Sequence, residues 1–200
     1  MKKSIAYRYL TQKTIGFFEI FAFILILIGL IICWAVFLYA GLGIILFSVV
    51  FLVVYKGTKV KDDEFDAALK GILDENNIFL DKPNIIGTYR LDVELVVLGK
   101  DGVARSSEFV VLEIKKNKDE IVFFVQKVNI IDNNVDSKEY IIPIKQKIEV
   151  ISKKINRKGI NKTASFLCGS CLDERIPIKI DDEKSYLLIK SIDGLISINM

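Results

Sequence analysis

From Ile15 to Tyr55 the chain runs 41 residues with a single charge, Glu19. As one helix this stretch would extend about 62 Å at ~1.5 Å per residue, roughly twice the ~30 Å hydrocarbon core of a bilayer. Two antiparallel spans fit better. The turn is expected between Trp34 and Gly43, where Trp34, Tyr39, Gly41 and Gly43 cluster and where Trp and Tyr suit a membrane–water interface. The alternative is a buried helical hairpin, but 41 nearly uncharged residues are too many for a soluble domain of this size.

The flanks set the expected orientation. Lys2, Lys3, Arg8 and Lys13 precede the spans and Lys56, Lys59 and Lys61 follow them, so both ends should be cytoplasmic in a multi-pass protein of the inner (cytoplasmic) membrane. A cleaved signal peptide would have a shorter apolar run and a small-residue cleavage site. The organisation read from this is a cytoplasmic N-terminus (1–14), a transmembrane helical hairpin (15–55), a linker with a short helix (56–84) and a strand-rich cytoplasmic domain (85–200). Expected partners are the lipid bilayer and, through the hairpin, further copies of the chain.

Residues 58–200 carry 23 Lys+Arg against 24 Asp+Glu, so the whole-chain charge of +3 comes from the membrane flanks. Bulk charge therefore gives no argument for nucleic acid. There is no histidine, which removes Ser–His–Asp and Cys–His catalysis and every His-ligated metal site. The single Cys168-x-x-Cys171 pair lacks the further ligands of a structural zinc site. Core cysteines, kept reduced in a cytoplasmic domain, are the simpler reading.

Along the soluble part, 62–75 reads as a short helix with Phe65, Leu69, Ile72 and Leu73 on one face. Alternation predicts a strand over 89–98, and the GKDG turn at 99–102 leads to a second strand over 108–116. A third strand is expected over 120–131 and a loop over 132–138. Over 143–159, Ile144, Ile148, Ile151 and Ile155 recur at helical spacing, Pro143 suits a first turn and Gly159 a stop, so the spacing predicts a helix. The alternation of Ile142, Ile144, Ile148 and Val150 leaves a strand open. Three more strand-like segments follow, at 163–171, 175–180 and 185–192. The expected class is α+β: helix, three-stranded antiparallel meander, helix, further strands.

Three charges stand out. Glu113 and Lys115 share a face of the second strand, and a hairpin looped over Gly99–Ser106 would set Asp92 directly opposite Glu113. Two carboxylates side by side make a natural Mg²⁺ site, with Lys115 available to hold a water. A tighter hairpin, looped at Lys100–Asp101, would pair Asp92 with Phe109 and separate the carboxylates. The predicted helix would also carry a phosphate-facing stripe of Lys145, Lys153, Lys154 and Arg157; a solvated helix face is the plainer alternative.

The pattern RLDV with Asp92, followed by VVLEIKK with Glu113 and Lys115, resembles the PD-(D/E)XK nuclease superfamily. The Pro-x-x-Gln of PIKQ is similar to its nuclease-related (NERD) branch. The resemblance implies Mg²⁺-dependent cleavage of nucleic-acid phosphodiesters, with Asp92 and Glu113 on the metal and Lys115 and Gln146 in the active site. The usual Gly-Glu pair opening the first helix is missing, with Glu64 a weak stand-in, and DEIVFF replaces the expected Gly-rich strand. A second resemblance is to the two-transmembrane β-barrel effectors of bacterial cyclic-oligonucleotide antiphage systems. It implies an eight-stranded barrel opening at NIIGTY (84–89), a bound cyclic nucleotide, no cofactor, and clustering of the hairpin that disrupts the membrane. That reading requires 139–155 to be a strand.

Overall fold

A computed structural model describes residues 4–12, 16–35, 37–143, 146–157, 160–179, 183–190 and 196–199. Two compact units emerge: Thr11–Lys61, and Met1–Leu10 together with Asp62–Met200.

The first unit is a pair of helices, α2 (Phe17–Ala35) and α3 (Leu38–Gly57). At ~1.5 Å per residue they are about 28 and 30 Å long, and both are long and apolar enough to cross a membrane. Their outward surface is apolar, with Phe17, Leu27, Ile31, Leu46 and Val53 exposed, and Trp34 and Tyr39 stand at the tip, 92% and 85% exposed. Glycine sets the approach of the helices. A Cβ on Gly41 would lie 2.5 Å from the Gly29 carbonyl oxygen and 2.3 Å from Cys33 Sγ. At the base, Glu19 pairs with Lys59 Nζ at 2.7 Å and accepts a hydrogen bond from the Gly16 N–H. The Gln12 carboxamide bonds the N–H and the carbonyl of Val60, at 3.1 and 2.8 Å.

The second unit opens with α1 (Ile5–Thr11) and α4 (Asp62–Glu75). Asp62, Asp63 and Glu64 in the first turn of α4 oppose the positive end of the helix dipole. Its buried stripe is Phe65, Leu69, Ile72 and Leu73, as the spacing predicts. Tyr9 of α1 packs on Phe65, ring centroids 4.6 Å apart.

Two four-stranded sheets follow, and they share one core. The first contains β1 (Ile85–Tyr89), β4 (Glu108–Lys116), β5 (Glu120–Asn129) and β6 (Asn134–Pro143), in the order β1-β4-β5-β6, all antiparallel. The second contains β7 (Ile148–Arg157), β8 (Ile160–Cys168), β9 (Ile176–Ile178) and β10 (Ile196–Asn199), in the order β10-β7-β8-β9, with β10 parallel to β7. A short hairpin, β2 (Val96–Leu98) and β3 (Ala104–Ser106), stands apart. Leu112, Phe123 and Ile142 of the first sheet pack with Ile148, Leu167 and Ile176 of the second. Consecutive β6 and β7 lie in different sheets and no ladder joins β9 to β1, so the described strands do not close into a barrel.

Over its described residues the helix expected at 143–159 is replaced by β7; Ile144 and Gly159 lie outside the described residues. Ile148 and Val150 are buried while Ile151 is 39% exposed, which is a period of two and not a helical face. Pro143 is the last residue of β6, an edge strand of its sheet, a position where strands tolerate proline. β-branched isoleucines also fit a pleated, half-buried surface better than an exposed helix. The third strand ends at Asn129, and a turn with Asn133 at φ +54° returns the chain as β6 through most of the expected loop. Of the segment expected as a strand at 185–192, the described part is helical instead: α5 (Glu183–Lys190) buries Ser185 and Ile189, four residues apart on one face.

Candidate functional site

Glu113 and Lys115 lie on the outward face of the first sheet. Leu112 and Ile114 point into the core, so their neighbours along β4 must point away from it. In the cross-strand row, Glu113 stands beside Phe124 and then Glu139. Together with Lys115, Glu120 and Ile141 they border a shallow depression of about 430 Å³. Glu113 accepts from Asn84 Nδ2 at 3.2 Å and pairs with Lys115 Nζ at 3.3 Å; the Lys115 side chain is 60% exposed.

Asp92 is elsewhere. The residue opposite Glu113 in the β1–β4 ladder is Ile85. Asp92 falls in the turn after β1 and accepts a hydrogen bond from Arg90 Nε at 2.9 Å, while the Arg90 N–H bonds the Glu108 carbonyl. That puts Asp92 at the far end of β4, five residues from Glu113, or about 17 Å at ~3.4 Å per residue. The pair does not fit one magnesium ion. Among the described residues, no group of three or more Cys, Asp or Glu side chains is arranged to hold a metal.

The remaining expected site residues disperse. Gln146 is exposed in the connection from β6 to β7, its N–H bonded to the Pro143 carbonyl at 2.9 Å. Glu64 is exposed on α4. Lys145 lies outside the described residues. Lys153 and Lys154 are successive strand residues and so face opposite sides of β7, which dissolves the stripe a helix would have made. The Arg157 guanidinium donates to the Val93 carbonyl at 3.5 Å.

The more enclosed concavity lies between β1 and the β8–β9 pair. β9 is only three residues long, and its ladder with β8 stops at Ser165–Ile178. Beyond that point, among the described residues, Lys162, Thr163 and Ala164 of β8 have no strand paired on that side, and they line with Gly87–Tyr89 of β1 a groove of about 320 Å³. Leu91, Phe109, Pro177 and Ile178 supply apolar walls and Lys162 and Lys179 supply positive charge; Thr88 and Thr163 bring hydroxyls, with Thr163 on the opposite face of β8 from Lys162, and the Ser165 hydroxyl is shared with that of Ser152 at 3.0 Å. Lys154 stands opposite Thr163 in the β7–β8 ladder, one strand out from the groove. Sequence reasoning missed Lys162 and Lys179, because nothing in their local pattern distinguishes them from solvated strand lysines. Their one shared property is position beside the groove, and that arises from the docking of two sheets.

One wall of the groove is the turn from β2 to β3, through Gly102, Val103 and Ala104. Gly102 has φ +77°, the left-handed region that favours glycine. Behind the wall, Arg105 is 2% exposed. Its Nε and Nη2 donate to Asp66 at 2.8 and 2.6 Å, and its Nη1 and Nη2 donate to Asp101 at 2.9 and 2.7 Å. Those bonds hold the Asp101 carboxyl down to about 2 and raise Arg105 further above its ordinary range. Asp101 also accepts from the Val103 N–H at 3.0 Å. The ring of Tyr89 lines the groove and its hydroxyl reaches Asp66 at 3.2 Å; burial, then Asp66, pushes its phenol above the usual value. Asp62 accepts from the Tyr9 hydroxyl and the Lys100 N–H, both at 2.8 Å.

Comparison with family models, with curated proteins and with solved structures finds no match for this chain.

Proposed function

We propose that this protein is a non-enzymatic membrane effector: its hairpin spans the inner membrane with both termini in the cytoplasm, and its two-sheet domain takes a cyclic nucleotide in the groove between β1 and β8–β9. The observation that carries this reading is the groove itself. At about 320 Å³ it falls at the lower end of the ~300–1,000 Å³ typical of small-molecule sites, which are mostly apolar with a few convergent polar groups. Leu91, Phe109 and Pro177 offer surfaces for a base, the hydroxyls of Thr88 and Thr163 suit its polar edge, and Lys162 and Lys179 suit a phosphate. The apolar outer surface of α2 and α3, with Trp34 and Tyr39 at the tip, supports a place in the bilayer. Ligand binding would then drive clustering of hairpins and loss of the membrane barrier, which needs no catalytic residue.

The nuclease reading draws no comparable support, because its premises were a carboxylate pair at Asp92 and Glu113 and a helix opening at Pro143. One experiment separates the two. The full chain is reconstituted in dye-loaded vesicles and challenged with cyclic AMP, cyclic di-AMP and cyclic di-GMP. Dye release by one of them, lost in Lys162→Glu, is the expected result. Mg²⁺-dependent cleavage of nucleic acid, abolished by Asp92→Ala or Lys115→Ala, would overturn the proposal.

A further inference from the structure

The turn that walls the groove is also the point where the chain segments on either side of the hairpin are tied down. We infer that residues 99–105 form a latch: ligand entering the groove displaces the 102–104 wall, breaks the Arg105–Asp66 fork, and releases α4 and α1, which bracket the hairpin in the chain. This rests on the groove being the ligand site proposed above.

The connections are continuous. Val103 lines the groove, and its N–H is held by Asp101. Asp101 holds Arg105, and Arg105 holds Asp66 on α4. Tyr89 makes a second route, with its ring on the groove and its hydroxyl on Asp66. Next in the turn, the Lys100 N–H bonds Asp62, the first residue of α4, and Asp62 in turn holds the Tyr9 hydroxyl of α1. Tyr9 is one residue from the end of its unit and Asp62 is the residue at which the chain re-enters it. A shift of the wall therefore reaches Tyr9 before the hairpin and Asp62 after it through the turn and its hydrogen bonds, while Gln12–Val60 and Glu19–Lys59 tie the base of the hairpin separately.

The fork is the element that a movement of the turn would break. A guanidinium that forks onto two carboxylates is held by direction as well as charge, so a small rotation of the turn forfeits the fork as a unit. Gly99 makes the closed state achievable: a Cβ there would lie 2.3 Å from Arg105 Nη1 and 2.6 Å from Asp101 Oδ1. In the structure the fork is made. A ligand can only shift an equilibrium by its differential affinity for two states, so a ligand that acts as a trigger must bind the unforked arrangement more tightly than the forked one.

Hydrogen exchange on the full chain in lipid nanodiscs tests this without a ligand. Ala104→Phe fills the groove from its wall. Amide exchange in 5–10 and 62–70 should rise about ten-fold or more in Ala104→Phe and in Asp66→Asn, with no further rise when the two are combined. Arg105→Lys, which keeps charge but loses the fork, should match Asp66→Asn and covers the case in which Ala104→Phe fails to fold. Unchanged exchange in a folded Ala104→Phe protein, or additive rises in the double variant, would overturn the latch. A calorimetric titration with cyclic di-AMP and cyclic di-GMP forms the second arm. Binding about five-fold or more tighter in Arg105→Lys supports coupling, as reciprocity of linked sites requires. Binding of equal strength in both proteins overturns the coupling and leaves the groove as a site. No binding by either protein overturns the functional reading, and the Ala104→Phe and Arg105→Lys exchange results then decide the latch by themselves.

Discussion

Arg105 grips Asp66 with two parallel hydrogen bonds, Nε to Oδ1 at 2.8 Å and Nη2 to Oδ2 at 2.6 Å, and so joins the β2–β3 hairpin to helix α4. The guanidinium is buried while both of its carboxylate partners are half exposed. Arg105→Ala would leave a polar cavity and strand Asp66 and Asp101. Breaking a buried ion pair typically costs ~3–5 kcal/mol; exposure of the carboxylates lowers the expectation here to about 2–3 kcal/mol. Thermal melts of the full chain in detergent should show the loss. A melting temperature unchanged within error would contradict the structural role of the fork.

The Asp101 carboxyl, held down to about 2 against an ordinary value of 3.8, makes part of this stability pH-dependent. Its folded pKa lies below its unfolded one, so the contribution is fully present above the unfolded value and is lost as pH falls from there toward about 2. Asp101→Asn should therefore show a shallower fall in melting temperature than the parent protein in that window, and a parallel fall in both would refute it.

The strand at 148–157 makes opposite demands on two isoleucines that a helix would treat alike. Ile148 is fully buried and Ile151 is 39% exposed. Ile148→Ala should cost about 2–4 kcal/mol, as Ile→Ala changes in close-packed cores do, and Ile151→Ala less than about 1 kcal/mol. Comparable losses at both positions would restore the helix.

In the helical pair, Gly41 lies where a side chain would strike Cys33 and the Gly29 backbone. Gly41→Val should force α2 and α3 apart and cost about 1–3 kcal/mol, the usual range for overpacking. The check is heat-induced loss of helical circular dichroism in detergent; Gly43→Val, which meets nothing within 4 Å, is the control and should change little.

The E-x-K residues face outward, and Asp92 bonds locally to Arg90. Asp92→Asn and Lys115→Ala should each stay within about 0.5 kcal/mol of the parent, as surface changes do, and should leave cyclic-nucleotide-induced dye release intact. Loss of that response in either variant would return these residues to the functional site.

Some of this protein is decided by the chain alone. Forty-one residues with one charge read as a pair of apolar helices, whose length follows from the rise per residue, and α2 and α3 occupy that stretch. The stripe of α4 is equally legible, since Phe65, Leu69, Ile72 and Leu73 at helical spacing need one partner surface and nothing more. Where isoleucines recur at spacings that serve both periods, as over 143–155, local pattern leaves two answers open, and burial of Ile148 between the two sheets selects the strand. The register of β4 was beyond local reach for a related reason. Its partner is Ile85–Tyr89 and not the segment bearing Asp92, because the chain turns after Tyr89 and closes a separate β2–β3 hairpin. The groove and the Arg105 fork are tertiary from the start. The groove assembles residues from several strands and the fork joins the β2–β3 hairpin to α4, so no short-range period records them, and only the packing of the sheets and helices brings Lys162 to Tyr89 and Arg105 to Asp66.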